Sequence, residues 1–132
     1  MSGINFWAVI AAAVSAFVLG GAWYSPLLFG KAWQRAAGLS DESLKGANPV
    51  VIFGGSLVLS LLAAFVFALF LGPSPAIGLA LGAGASAGLA WVGASLGINY
   101  LFERRSLALF GINAGYHTLQ FTLYGLVLGL WH

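Results

Sequence analysis

The sequence predicts an all-α integral membrane protein, a four-helix bundle forming a single domain over residues 1–132. Three observations carry that prediction. The composition is 61% hydrophobic and only 6% charged, with a mean hydropathy of +0.97, whereas soluble domains carry roughly 25% charged residues. The charged residues fall in two groups, Lys31, Arg35, Asp41, Glu42 and Lys45, then Glu103, Arg104 and Arg105. The intervening uncharged stretches exceed the roughly 20 apolar residues that a bilayer crossing needs.

The first predicted span runs from about Ile4 to Tyr24, with Trp7 and Trp23 placed near its ends as interfacial aromatics. It lacks a basic leader, and Ala11 to Ala13 sit inside the run and not after it, so it reads as a retained span and not a cleaved signal. Pro26 stops it. Residues Phe29 to Leu39 then predict an amphipathic interfacial helix. Phe29, Ala32, Trp33, Ala36 and Ala37 share one side, and Lys31, Gln34, Arg35 and Gly38 the other; an ordered loop packed on the bundle end is the alternative.

Ser40 has the chemistry of an N-cap, followed by Asp41 and Glu42 in a first turn and by Gly46 as a stop. Asn48-Pro49 repeats the start signal, a cap followed by proline at the first helical position. The second span runs from there to about Leu71. Ser56 and Ser60 are its only polar residues, which makes it the most lipid-facing helix. Gly72-Pro73-Ser74-Pro75 is a tight uncharged turn. The third span, about Ala76 to Phe102, carries the pairs Gly78/Gly82, Gly84/Gly88 and Gly93/Gly97, which let helix backbones approach closely. Glu103 to Ser106 is the next turn, and the fourth span runs from about Leu107 to Trp131.

All five basic residues lie in the first and third connections. Positive charge favours the cytoplasmic side, so these connections are expected inside the cell membrane and both termini outside. The pI near 9.3 therefore points to anionic headgroups and the lipid bilayer as partner, not to nucleic acid. Trp23, Tyr24, Lys31, Trp33, Arg35, Arg104 and Arg105 are the expected interfacial anchors; a Tyr24 or Ser25 side chain turned inward to close the cytoplasmic end of the seam is the alternative. Cysteine is absent, so disulfides, thiol catalysis and thiolate metal sites are excluded.

The candidate functional residues lie from Asn99 to Tyr124. On a helix Asn113, His117, Gln120 and Tyr124 fall within about 60° of one another. Gly111, Gly115, Thr118, Thr122, Gly125 and Gly129 form an opposite small face. Asn99 and Glu103, one turn apart, predict with them a polar seam between spans three and four, with His117 deepest. The alternative is that these side chains are interhelical hydrogen-bond glue, contributing about 0.6–2 kcal/mol each, and that Glu103 is a solvated partner of the arginines. A nucleophile with base and orienting partner is not found, nor a cluster with metal-ligand spacing, nor a phosphate-binding glycine loop. No enzyme activity, cofactor or metal is expected.

Asn5-Phe6-Trp7, Trp23 to Trp33 with its Trp-Tyr-Ser-Pro block, Leu101 to Arg105 and Ile112 to His117 resemble the signature blocks of a small membrane-protein family. It is catalogued as domain of unknown function, family 1761, and found mainly in bacteria with fungal relatives. The resemblance covers nearly the whole chain. It implies four spans, a plasma-membrane setting and no established activity, and supplies no catalytic residues.

Three functional readings follow. The first is a homo-oligomeric channel or small transporter, lined by the seam and joined through the glycine faces. The second is an accessory or scaffolding subunit of a larger membrane complex. The third is a lipid-binding protein with Arg104 and Arg105 near a headgroup.

Overall fold

The computed structural model describes residues 3–132. Among them the regular structure is helical: α1 (Phe6–Trp23), α2 (Gly30–Ala37), α3 (Asp41–Lys45), α4 (Pro49–Leu71), α5 (Ile77–Glu103) and α6 (Leu107–Leu130). The helix starts follow side-chain capping. Asn5, Ser40, Asn48 and Ser106 each accept a hydrogen bond from a backbone N–H in the first turn, satisfying a donor that the helix itself leaves open. The α2 helix ends at Gly38, whose φ of 73° is the left-handed conformation glycine adopts without strain.

Three helices, Phe6–Trp23, Pro49–Leu71 and Ile77–Glu103, are long and apolar enough to cross a membrane. At 24 residues, or about 36 Å at 1.5 Å per residue, α6 has the length, but Asn113, Tyr116, His117, Gln120 and Tyr124 dilute its apolar character.

The long helices run antiparallel. Gly3 lies against Pro73, and Ile4, Asn5, Pro73, Pro75, Trp131 and His132 line one small cavity of about 10 Å³, so the described N-terminal residues, the α4–α5 turn and the C-terminus share one end. Ala36 to Gly38 and Glu103 to Ser106 meet at the other end. In cross-section α1 and α6 are central: α4 packs on α1, and α5 on α6.

Small residues make the centre possible. Ala8, Ala12, Ala13 and Ala16 of α1 are fully buried, as is Ala64 of α4, and together they bring three backbones close around Tyr124. Phe67 and Phe121 close over the Tyr124 ring, with centroids 6.4 and 5.0 Å away. Between α5 and α6 the glycines do this work. A Cβ on Gly84 or Gly88 would strike the carbonyl of Phe121 or His117, and one on Gly125 the carbonyl of Ala80. Residues Ala87–Gly93 of α5 widen into a π-helical segment, in which the Ala94 N–H reaches back five residues to the Leu89 carbonyl.

The second predicted span, expected to be the most lipid-facing, is the least buried of the three apolar helices. Most of α4 is exposed, but Ser60, Ala64, Phe67 and Ala68 form a buried edge against α1 and α6.

Candidate functional site

The polar residues of α6 do not form one seam facing α5. They divide into two groups, both reaching α1. Deep in the bundle, His117 Nδ1 lies 2.6 Å from Gln120 Oε1, and Gln120 Nε2 donates to the Tyr124 hydroxyl at 2.7 Å. The Tyr124 hydroxyl lies 2.7 Å from Ser60 Oγ, and Ser60 Oγ donates to the Ala13 carbonyl at 3.0 Å. Because the last acceptor is a carbonyl, the chain has one direction. Ser60 donates to Ala13, Tyr124 donates to Ser60, the Gln120 amide donates to Tyr124, and His117 donates from Nδ1 to the Gln120 oxygen. Tyr124 is 0% and Gln120 7% exposed, so the bonds from Gln120 through Tyr124 to Ser60 are made where neither water nor lipid competes, while His117 at the chain's end is half-buried.

The second group sits nearer the charged end. Tyr24 donates to Asn113 Oδ1 at 2.6 Å, and Asn113 Nδ2 donates to the Tyr100 hydroxyl at 2.8 Å. Beside it, Trp23 Nε1 donates to the Ile112 carbonyl at 2.9 Å, and the Tyr116 hydroxyl to the Ala16 carbonyl at 2.9 Å. Asn113 thus ties α1 and α5 to α6. Among the described residues every buried side-chain nitrogen and oxygen has a partner.

Two expected seam residues lie elsewhere. Asn99 is exposed, one position from the Tyr100 that does meet Asn113. Glu103 is also exposed and pairs with Arg105 at 3.3 Å, a solvated contact of small energetic weight. Trp23 and Tyr24, expected as interfacial anchors, turn inward to α6. Trp33 sets its ring edge against Tyr24 at 5.7 Å, while Lys31, Arg35, Arg104 and Arg105 remain exposed.

The expected packing glycines also divide. Gly84, Gly88, Gly93, Gly97, Gly115, Gly125 and Gly129 meet other parts of the same chain: Gly93 faces Ala114, Gly97 faces Phe110, and Gly115 faces Trp23. Gly78, Gly82 and Gly111 face open space. Sequence reasoning passed over Ser60, Tyr100 and Tyr116 as partners. A lone serine in an otherwise apolar span, and tyrosines one or three residues from a candidate amide, were the available signals.

Among the described residues the bundle is all-helical, with polar groups saturated inside it and three helices apolar enough to cross a membrane, features that suggest a membrane protein. A family model described as protein of unknown function (DUF1761) matches residues 7–129, and the chain belongs to that family. No curated protein and no solved structure matches it.

Proposed function

We propose that this chain is a four-span protein of the cell membrane that works by associating with further copies of itself, as a non-catalytic membrane scaffold. Four crossings place the termini and the α4–α5 turn outside and the charged connections in the cytoplasm, in keeping with the basic residues clustered at one end of the bundle. With its polar side chains bonded inward, α6 can cross as a central helix despite its composition.

The observation that carries self-association is a second face of α5. Gly78, Gly82, Ser86, Ala90 and Ala94 recur every fourth residue, and all are exposed. The same helix shows what such spacing does: its Gly84 and Gly88 bring it backbone to backbone with α6. A small-residue stripe left open in a membrane helix fits a neighbouring helix by the same close packing.

A solute path through one protomer draws less support from the geometry. The deep chain runs through the Gln120 carboxamide, which accepts at oxygen and donates from nitrogen, so the chain holds helices together and does not relay protons.

Gly78→Leu and Gly82→Leu test the reading, because a Cβ at either position points into open space. In lipid nanodiscs or mild detergent, the wild type should run as a homo-oligomer and the double variant as a monomer of unchanged helicity. A wild type that is monomeric at every protein-to-lipid ratio, or a double variant that assembles as the wild type does, contradicts it.

A further inference from the structure

At the charged end an open groove of about 620 Å³ runs between the C-terminus of α2 and the α5–α6 turn, lined by Ala36, Ala37, Gly38, Glu103, Arg104, Arg105 and Ser106. We infer that this groove binds the phosphate of an anionic phospholipid headgroup, with Arg104 and Arg105 as its ligands.

The arginines differ in how they are held. Arg105 is positioned: its Nε donates to Glu103 Oε1 at 3.3 Å and its Nη1 to the Ala37 carbonyl at 3.4 Å, which spans the groove from α5 to α2. Those contacts leave part of the guanidinium fork free for a further acceptor, and the Glu103 carboxylate that also lines the groove is already paired with Arg105. The Arg104 side chain has no hydrogen bond or ion pair among the described residues, and it lines the same groove. Planar guanidinium groups suit a phosphate because they donate through two parallel N–H groups.

The backbone supplies a separate observation. Arg104 sits at φ 59°, the only non-glycine residue with a positive φ among those described. It caps α5, with the Arg105 N–H donating to the Tyr100 carbonyl at 2.9 Å, in the position that glycine ordinarily fills. A long cationic side chain kept at a strained backbone position is a reason to look for a ligand. The turn also carries exposed apolar side chains. Leu101, Phe102 and Leu107 are 82%, 87% and 83% exposed, so a phosphate in the groove has surface for acyl chains beside it. That combination of anion and hydrocarbon selects a lipid over free phosphate.

Native mass spectrometry of the full chain in a non-ionic detergent, titrated with phosphatidylglycerol, phosphatidylcholine or inorganic phosphate, tests this. The wild type should retain phosphatidylglycerol in preference to phosphatidylcholine. Arg104→Gly and Arg105→Gln should each weaken that retention about tenfold, the loss of roughly one charge-assisted contact. Arg104→Gly removes the strained residue and keeps the turn, so its thermal midpoint should not fall below that of the wild type. Equal retention by the variants, equal retention of both lipids, or displacement of the lipid by inorganic phosphate at matched concentration overturns the assignment. Because Arg104 lies away from the exposed stripe of α5, the result does not depend on self-association.

Discussion

Removing one oxygen at the centre of the bundle should have a measurable cost. In Tyr124→Phe the ring keeps its packing against Phe67 and Phe121, and the hydroxyl's bonds to Ser60 and Gln120 are lost. Ser60 retains the Ala13 carbonyl; the Gln120 amide nitrogen, buried in a residue 7% exposed, keeps no partner. Interhelical hydrogen bonds in membranes are worth about 0.6 kcal/mol on average and up to about 1.7, and an orphaned buried donor costs about 1–3 kcal/mol. The variant should therefore lose about 1–3 kcal/mol. Ser60→Ala should lose less, because the tyrosine hydroxyl still has the residue-60 carbonyl at 3.3 Å. The double variant should be less destabilised than the two losses added, by about 0.5 kcal/mol or more, as expected for groups in one network. Reversible unfolding in mixed micelles with increasing dodecyl sulfate, followed by tryptophan fluorescence, measures all three. A Tyr124→Phe loss under about 0.5 kcal/mol, or strict additivity with Ser60→Ala, would refute the view that the deep chain holds the helices together.

Other substitutions separate the contacts. Gly125→Val places a side chain on the Ala80 carbonyl and should push α5 from α6, costing about 1–3 kcal/mol or more, whereas Gly111→Ala, facing open space, should stay within about 0.5 kcal/mol of the wild type; thermal midpoints in detergent compare them. Asn113→Ala strands the hydroxyls of Tyr24 and Tyr100 and should cost about 1 kcal/mol in the same assay. Gly30→Ala directs a Cβ onto the Tyr24 carbonyl and the Ser25 backbone; it should disturb the α1–α2 turn, read as a change in the emission of Trp23, which that turn holds against Ile112.

Helix existence and most helix ends were legible because they are local. Asn48-Pro49 and Ser40 announce their starts through capping chemistry that needs only the next three residues. The polar stripe on α6 was legible for the same reason. Its destination was not, since periodicity says which residues share a face but not which neighbour that face meets. Asn99 and Glu103 were set toward α6 because they are polar, lie one turn apart and stand next to the α5–α6 turn, but it is Tyr100, one position on from Asn99, that takes the contact with Asn113. Gly88 offered no hint of this, because a glycine in a membrane helix looks alike whether it meets a carbonyl of its own chain or faces lipid. Likewise Ser60 looked incidental in an apolar span until the fold brought Tyr124 to it across 64 residues.

The central claim is that α6 crosses the membrane with its polar groups turned inward, and side-specific labelling tests it most directly. The sequence contains no cysteine, so single cysteines at Ser43, Ser74, Arg104 and His132 report individual positions to a membrane-impermeant maleimide. In intact cells, or spheroplasts if an outer barrier blocks the reagent, positions 74 and 132 should label, and positions 43 and 104 only after permeabilisation. Labelling of 104 and 132 from the same side would mean that α6 does not cross, and would contradict the account.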